Sequence, residues 1–464
     1  MFKLCILKLL LLLVYTNYVL SGSIINKNVY FKNVDRSIDL TSQLVKITST
    51  VTIENSNKET VKDIVWSLDH GFTGKLSYIS ARDASKRDLR LQETTLADHD
   101  SDLFYTIIFN KPLEQKKYVV IIEEVYTGAQ LPYPASITQK EKQLVRYFGN
   151  HYIYSPYLVN QQTTKVHVRT KNIESYTKLK PFTLNDGIIT YGPYENIQPF
   201  TADKLSIHYE NNSPFLTVTN LNRHIEVSHW GTIAIEESVS LLHTGATLKG
   251  SFSRYDYQRD NGNGLNSIKS FKTILPASAE SPYYRDFNGN ISTSNMRIKK
   301  DSVELDLRPR FPLFGGWKTC YTLGYSVPSY QYLFHKGDNY LLKIRLIDHV
   351  YDDMQVDQLE TTIVLPVGAT DIQLKTPYSV ERLPDSVAYK YFDTKGRTVI
   401  SFKRDNLVEN HIQDLELRYQ WSRVLMVHEP ILLSIVLYVL FLAVIIYVRL
   451  DFSVNPNVDL KKQE

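Results

Sequence analysis

In Val45-Lys-Ile-Thr-Ser-Thr-Val-Thr-Ile53, the apolar residues Val45, Ile47, Val51 and Ile53 alternate with polar ones. Side chains in a strand point to opposite faces in turn, so this pattern builds a strand with one dry and one wet face. The stretch returns later as Ile233-Ala-Ile-Glu-Glu-Ser-Val-Ser-Leu241, where Ile233, Ile235, Val239 and Leu241 match Val45, Ile47, Val51 and Ile53. Arg36-Ser-Ile-Asp39 precedes the first copy and Arg223-His-Ile-Glu226 the second. A further match pairs Leu103, Tyr105, Ile107, Pro112 and Leu113 with Val303, Leu305, Leu307, Pro312 and Leu313. Two β units of about 190 residues account for both matches.

Working outward, the chain remains β in character. Tyr118 to Ile122 suits a buried strand, Lys165 to Arg169 and Leu205 to Tyr209 alternate, and strands are predicted near residues 303–307, 341–347, 361–365 and 399–402. Turn chemistry lies between them at Asn185-Asp-Gly187, Asn261-Gly-Asn-Gly264, Asn288-Gly289 and Lys395-Gly396. The boundary between units is predicted near Asn212-Ser-Pro214, because proline cannot continue a central strand.

Two apolar stretches flank this region. Residues 4–20 follow a basic start and are interrupted by Lys8, Thr16 and Asn17, which reads as a secretory signal over residues 1–23. Residues 431–448 carry no ionisable side chain and are closed by Arg449. Eighteen residues at about 1.5 Å each give roughly 27 Å, the thickness of the endoplasmic reticulum hydrocarbon core. The predicted order is a signal (1–23), β-rich, sandwich-like domains at 24–213 and 214–428, one transmembrane helix (431–448) and a cytosolic tail (449–464). The fold class is mainly β. A cleaved signal with one late span makes the protein single-pass type I, with its bulk in the lumen.

The net charge of +4 is small for 464 residues and its basic residues are scattered, which argues against a nucleic-acid surface. Cys5 lies in the signal, so Cys320 is alone in the mature chain and is expected to be a small buried hydrophobe. Catalytic signatures are missing: His428-Glu429 runs into Pro430, and there is no Gly-x-Ser-x-Gly elbow or phosphate-binding glycine loop. Asp98-His-Asp100 with Asp102 reads as a solvated loop before a strand, not a metal site, and Asp352-Asp353 as a turn. No metal or cofactor is implied. Two glycosylation acceptors are present: Asn290-Ile-Ser292, after a turn, and Asn211-Asn-Ser213, where Pro214 makes a poorer site. Two aromatic strings, Tyr152, Tyr154 and Tyr157, and Phe311, Phe314 and Trp317, read either as partner contacts or as the core of folded loops.

Several long strings occur in a distinctive order. Gly149-Asn-His-Tyr-Ile-Tyr-Ser-Pro-Tyr157 is followed by Asn172-Ile-Glu-Ser-Tyr-Thr-Lys-Leu179 and His208-Tyr-Glu-Asn-Asn-Ser-Pro-Phe-Leu-Thr217. Then come Ile225-Glu-Val-Ser-His-Trp-Gly231, Phe252-Ser-Arg-Tyr-Asp-Tyr-Gln-Arg259, Arg308-Pro-Arg-Phe-Pro-Leu-Phe-Gly-Gly-Trp-Lys-Thr319 and Ile445-Ile-Tyr-Val-Arg-Leu-Asp-Phe-Ser453. Together they resemble the ribophorin I family from about Val34 to Ser453. The resemblance implies a non-catalytic subunit of the oligosaccharyltransferase complex of the endoplasmic reticulum membrane. That complex transfers a preassembled oligosaccharide from dolichyl diphosphate to Asn of Asn-x-Ser/Thr. Implied partners are the multi-span catalytic subunit, the other subunits and nascent chains. A lumenal chaperone-like adaptor that presents selected membrane proteins is the alternative. Animal members have a long cytosolic tail that contacts the ribosome. This chain stops at Glu464, like short-tailed fungal forms, so the resemblance does not carry a ribosome contact over to it.

Overall fold

A computed structural model describes residues 25–450 apart from 27, 58–59, 73, 97–101, 114–116, 260–265, 391–392 and 394–395. The signal segment, the tail beyond Leu450, Asp98-His-Asp100, the turn at 261–264 and Lys395 therefore lie outside the described residues.

Val45–Asn55 is a strand whose burial alternates over its whole length, as the sequence predicts. It pairs antiparallel with Val29–Leu40, which pairs parallel with Val159–Val168. The full sheet runs, in spatial order, Phe182–Asn185, Ile188–Ile197, Val159–Val168, Val29–Leu40, Val45–Asn55, Tyr118–Tyr126 and Leu76–Asp83. The second copy, Thr232–His243, sits in a sheet of the same plan. There Leu216–Val227 pairs antiparallel with Thr232–His243 and parallel with Gln355–Val364, with Arg397–Val408 beyond; Lys318–Pro328 and Glu280–Asp286 follow on the other side.

The smaller sheets repeat as well. Val61–Ser67, Phe104–Leu113 and Arg90–Thr94 form a three-stranded sheet, as do Phe271–Pro276, Ser302–Leu307 and Asn295–Ile298. The sheet of Ile173–Tyr176, Lys204–Glu210, Leu144–Asn150 and Gln130–Pro132 has its counterpart in Thr370–Lys375, Asp414–Gln420, Asn339–Arg345 and Leu333–Lys336. Ile107 and Ile207 share a core with Val51 in the first half; Leu305 and Leu417 share one with Val239 in the second. The two large cores part between Phe215 and Leu216, just after the predicted Asn212-Ser-Pro214 break.

Local chemistry explains the turns. Asp186 and Gly187, at φ +47° and +80°, join Phe182–Asn185 to Ile188–Ile197, the positive-φ pair a tight hairpin needs. Asp353, read as a turn residue, has φ +55°.

The cysteine expectation is corrected. Cys320 is exposed. Tyr321, Leu323, Tyr325 and Val327 carry the buried phase of Lys318–Pro328, so Cys320 falls with Thr322 and Ser326 on the other face. Its sulfur lies 3.5 Å from Ser240 Oγ. Cys320→Ser is therefore expected to change stability by no more than about 0.5 kcal/mol. A thiol reagent should label Cys320 in the native protein without denaturant; labelling only after unfolding would contradict the exposed placement.

Candidate membrane-proximal site

Strand Asp414–Gln420 ends at the base of the second half, and Trp421 follows it into a 3-10 turn at Arg423–Val427 and an α-helix at His428–Arg449. The helix begins three residues before the predicted span. Glu429 and Pro430 stand in its first turn, where a missing N–H costs nothing and a carboxylate favours the positive helix end. No residue of the helix is buried by the rest of the protein, and it is long and apolar enough to cross a membrane.

Charges and rings tie the helix start to the β fold. Arg397 reaches Glu429 at 2.9 Å, Glu226 at 3.1 Å and Asp393 at 3.0 Å, and Lys390 also meets Glu226, at 2.6 Å. His229 stacks flat on Trp421, with ring centroids 3.8 Å apart, and its Nε2 is 3.1 Å from the Tyr419 hydroxyl. Burial, with repulsion from His335, pushes the His229 pKa down to about 4, so the ring stacks as neutral imidazole. Trp421 Nε1 donates to the Val367 carbonyl at 2.9 Å. Gly368, at φ +80°, lets Leu425 close in: a Cβ there would stand 2.6 Å from Leu425 Cδ1. A cavity of about 470 Å³ remains between these parts, lined by His229, Trp230, Val367, Trp421, Met426 and Glu429. These groups can clamp and orient the helix on the β fold.

The aromatic strings divide. Tyr157 is core, its hydroxyl accepting from Val65 N–H at 3.0 Å. Tyr154 is half-buried and donates to Asp102 at 3.0 Å; burial and that carboxylate push its pKa up to about 12. Tyr152 is half-buried, edge-on to Tyr194. Phe314 is buried, Trp317 half-buried and Phe311 exposed; Phe314 and Trp317 pack with Phe252. Loop rings follow no strand period, so alternation does not sort them.

The two sequons also differ. Asn290 is exposed in the short hairpin strand Gly289–Asn290. Asn211 is fully buried: its Nδ2 donates to Gln130 Oε1 at 3.1 Å and to the Ser42 carbonyl at 3.2 Å, and its Oδ1 accepts from Ser213 Oγ at 2.6 Å. A glycan on that nitrogen would have to displace these contacts.

Sequence reasoning missed an ionic cluster inside the second half. Arg223 Nη1 donates to Asp348 at 2.8 Å and also to Glu237, and Tyr325 donates its hydroxyl to Asp348; all four residues are buried. The signal was present in the sequence, since Arg223 is in phase with Leu221, Ile225 and Val227. The tryptophans Trp230 and Trp421, isolated in sequence, meet at one cavity.

A family model described as Ribophorin I matches residues 29–448. The chain is 40% identical to "Dolichyl-diphosphooligosaccharide--protein glycosyltransferase subunit 1" of Caenorhabditis elegans, over 92% of this chain and 73% of the relative. It is 35% identical to subunit 1A of Arabidopsis thaliana, over 91% of this chain and 70% of the relative. Subunit 1B of that plant is also 35% identical, over 91% and 93%.

Proposed function

The chain belongs to the ribophorin I family, and from that premise we propose that it is a non-catalytic subunit of an oligosaccharyltransferase, supporting assembly and acceptor handling during protein N-glycosylation. The observation that carries this reading is the 40% identity to a named subunit 1 across 92% of the chain. The use of buried ionisable groups supports the accessory part. Arg223, Glu237 and Asp348 tie strands together inside a core, and Glu124 accepts from Trp66 Nε1 and the Tyr126 hydroxyl in the other. Buried and paired in this way, such groups serve the fold. The helix His428–Arg449 anchors the protein in the endoplasmic reticulum membrane, with the β halves lumenal and residues after Arg449 cytosolic. Holding acceptor chains near a multi-span catalytic partner raises their effective concentration without altering the chemical step.

Purification of the native protein in mild detergent should bring down a multi-span transferase, and depletion should lower occupancy at many sequons. Substituting any single lumenal Asp, Glu or His should leave transfer per assembled complex unchanged. One such substitution that abolishes transfer in a fully assembled complex would refute the accessory reading.

Glycosylation tests the lumenal placement separately. Asn290→Gln is expected to migrate faster than the wild type and to lose its response to endoglycosidase, while Asn211 contributes no glycan. Unchanged migration of Asn290→Gln would count against a lumenal second half.

A further inference from the structure

The base of the second half exposes large apolar side chains beside the helix start. Trp230 is 62% exposed, Tyr330 75%, Phe334 51% and Val424 75%. These residues come from separate segments and meet the connector from two sides. Trp230 lines the cavity that His428 and Glu429 also line; Tyr330 and Phe334 line a neighbouring one with Arg423 and Met426. The Trp230 and Tyr330 loops are joined by a hydrogen bond from Ser329 N to the Gly231 carbonyl, 2.9 Å.

Their depth follows from the connector. The uncharged, mostly apolar run starts at Ile431, five positions after Met426. At about 1.5–2 Å per residue this places Met426 roughly 8 Å from the hydrocarbon edge. The polar layer of one leaflet is about 5–8 Å thick. Met426 therefore stands at the outer edge of the headgroup layer, and the rings around it extend within reach of that layer. Tryptophan and tyrosine are the residues that favour this layer, each with an apolar body and a polar tip. Arg423, one turn further from the span and 3.1 Å from the His335 ring, adds a cation whose long side chain can reach toward lipid phosphate. A patch of this kind facing water would be a liability.

We propose that the base of the second half is a membrane-contacting apron, with Trp230, Tyr330, Phe334 and Val424 seated in the lumenal leaflet of the bilayer around the helix. The apron rests on the reading of His428–Arg449 as a span. It fixes the tilt of the β halves relative to the membrane, beyond what a single tethering helix does.

The test uses the full chain in nanodiscs of phosphatidylcholine, with and without bromine on the upper acyl carbons, and compares the emission of wild type and Trp230→Phe. The emission contributed by Trp230 should fall in brominated lipid, by less than that of a tryptophan within the span. Phe287→Trp, in a hairpin away from the base, should keep its emission. If Trp230→Phe fails to fold, Tyr330→Trp gives the same reading as an added emitter. Phe441→Trp reports the span itself: absence of quenching there overturns the span and the apron together, whereas quenching at 441 with none at 230 or 330 overturns the apron alone. Quenching in the isolated chain that disappears in the native complex assigns the surface to a neighbouring subunit, and also overturns the proposal.

Discussion

Arg223→Ala is expected to destabilise the second half by about 3–5 kcal/mol, enough to unfold a marginal core. The guanidinium is buried with two carboxylates, Glu237 and Asp348, and also reaches the Arg345 carbonyl at 3.4 Å. Removing it leaves two acids in a site that water does not reach, and they must take up protons or force the sheet apart. Burial already raises the pKa of Glu237, with Arg223 opposing and Asp348 adding to the rise. An acid with a raised folded pKa holds more protons folded than unfolded, so its contribution to stability falls as pH rises from its ordinary value through the raised one. Glu237→Gln should remove that slope and be tolerated, because the amide oxygen still accepts from Arg223. Amide hydrogen exchange along Leu216–Val227 checks both variants. Wild-type protection in Arg223→Ala would mean that the cluster contributes little.

The same cluster marks what could be read in the sequence. Alternation placed Val45 and Ile233 in matching strands, because a strand with one dry face writes its period into the residues. The duplicated plan followed from residues Val45 to Ile53 and their echo. The parallel pairings of Val29–Leu40 with Val159–Val168 and of Leu216–Val227 with Gln355–Val364 were not legible. They join segments more than a hundred residues apart, with no local signature. Arg36 and Arg223 mark the repeat in the sequence, and both sit in the buried phase of their strands. Their partners differ, however. Arg36 stands opposite Ser49 and gives its Nη1 to the Asn150 carbonyl at 2.8 Å, while Arg223 stands opposite Glu237. An arginine in a hydrophobic phase was thus the readable sign of a buried charge, and the identity of its counter-ion was not. The membrane-proximal site was partly legible: the apolar run gave the helix, but only the fold brings Trp230 and Trp421 to its start.

Asn406→Ala is expected to cost about 3–4 kcal/mol and to loosen the two halves from each other, although position 406 lies outside both large cores. Asn406 Nδ2 donates to the Leu76 carbonyl at 3.0 Å, and its Oδ1 accepts from Thr127 Oγ1 at 2.7 Å. Its own carbonyl accepts from Ser77 Oγ at 2.7 Å. All three bonds cross from the second half to the first. Each lost side-chain bond costs about 1 kcal/mol. The residue also sits at φ +55°, which alanine occupies at a penalty of about 1–2 kcal/mol. Asn406→Gly loses the same two side-chain bonds without that penalty, so it should fall between wild type and Asn406→Ala, and the gap between the variants measures the backbone term. Other ties remain along the seam. Gln43 Nε2 donates to the Leu216 carbonyl at 2.7 Å, Lys46 pairs with Asp353, and Leu44, Val125 and Val408 form a small apolar cluster. The halves should therefore stay joined in Asn406→Ala but cease to open as one unit. Hydrogen exchange under mild denaturant would show this as separate opening of 76–83 and 397–408, where the wild type opens both together. The accessory reading gives this coupling a purpose. On that reading a subunit that positions acceptors for a neighbour gains from halves held at a fixed angle, and Asn406 is one of the residues that join them. If the two segments already open separately in the wild type, Asn406 is not the residue that couples them.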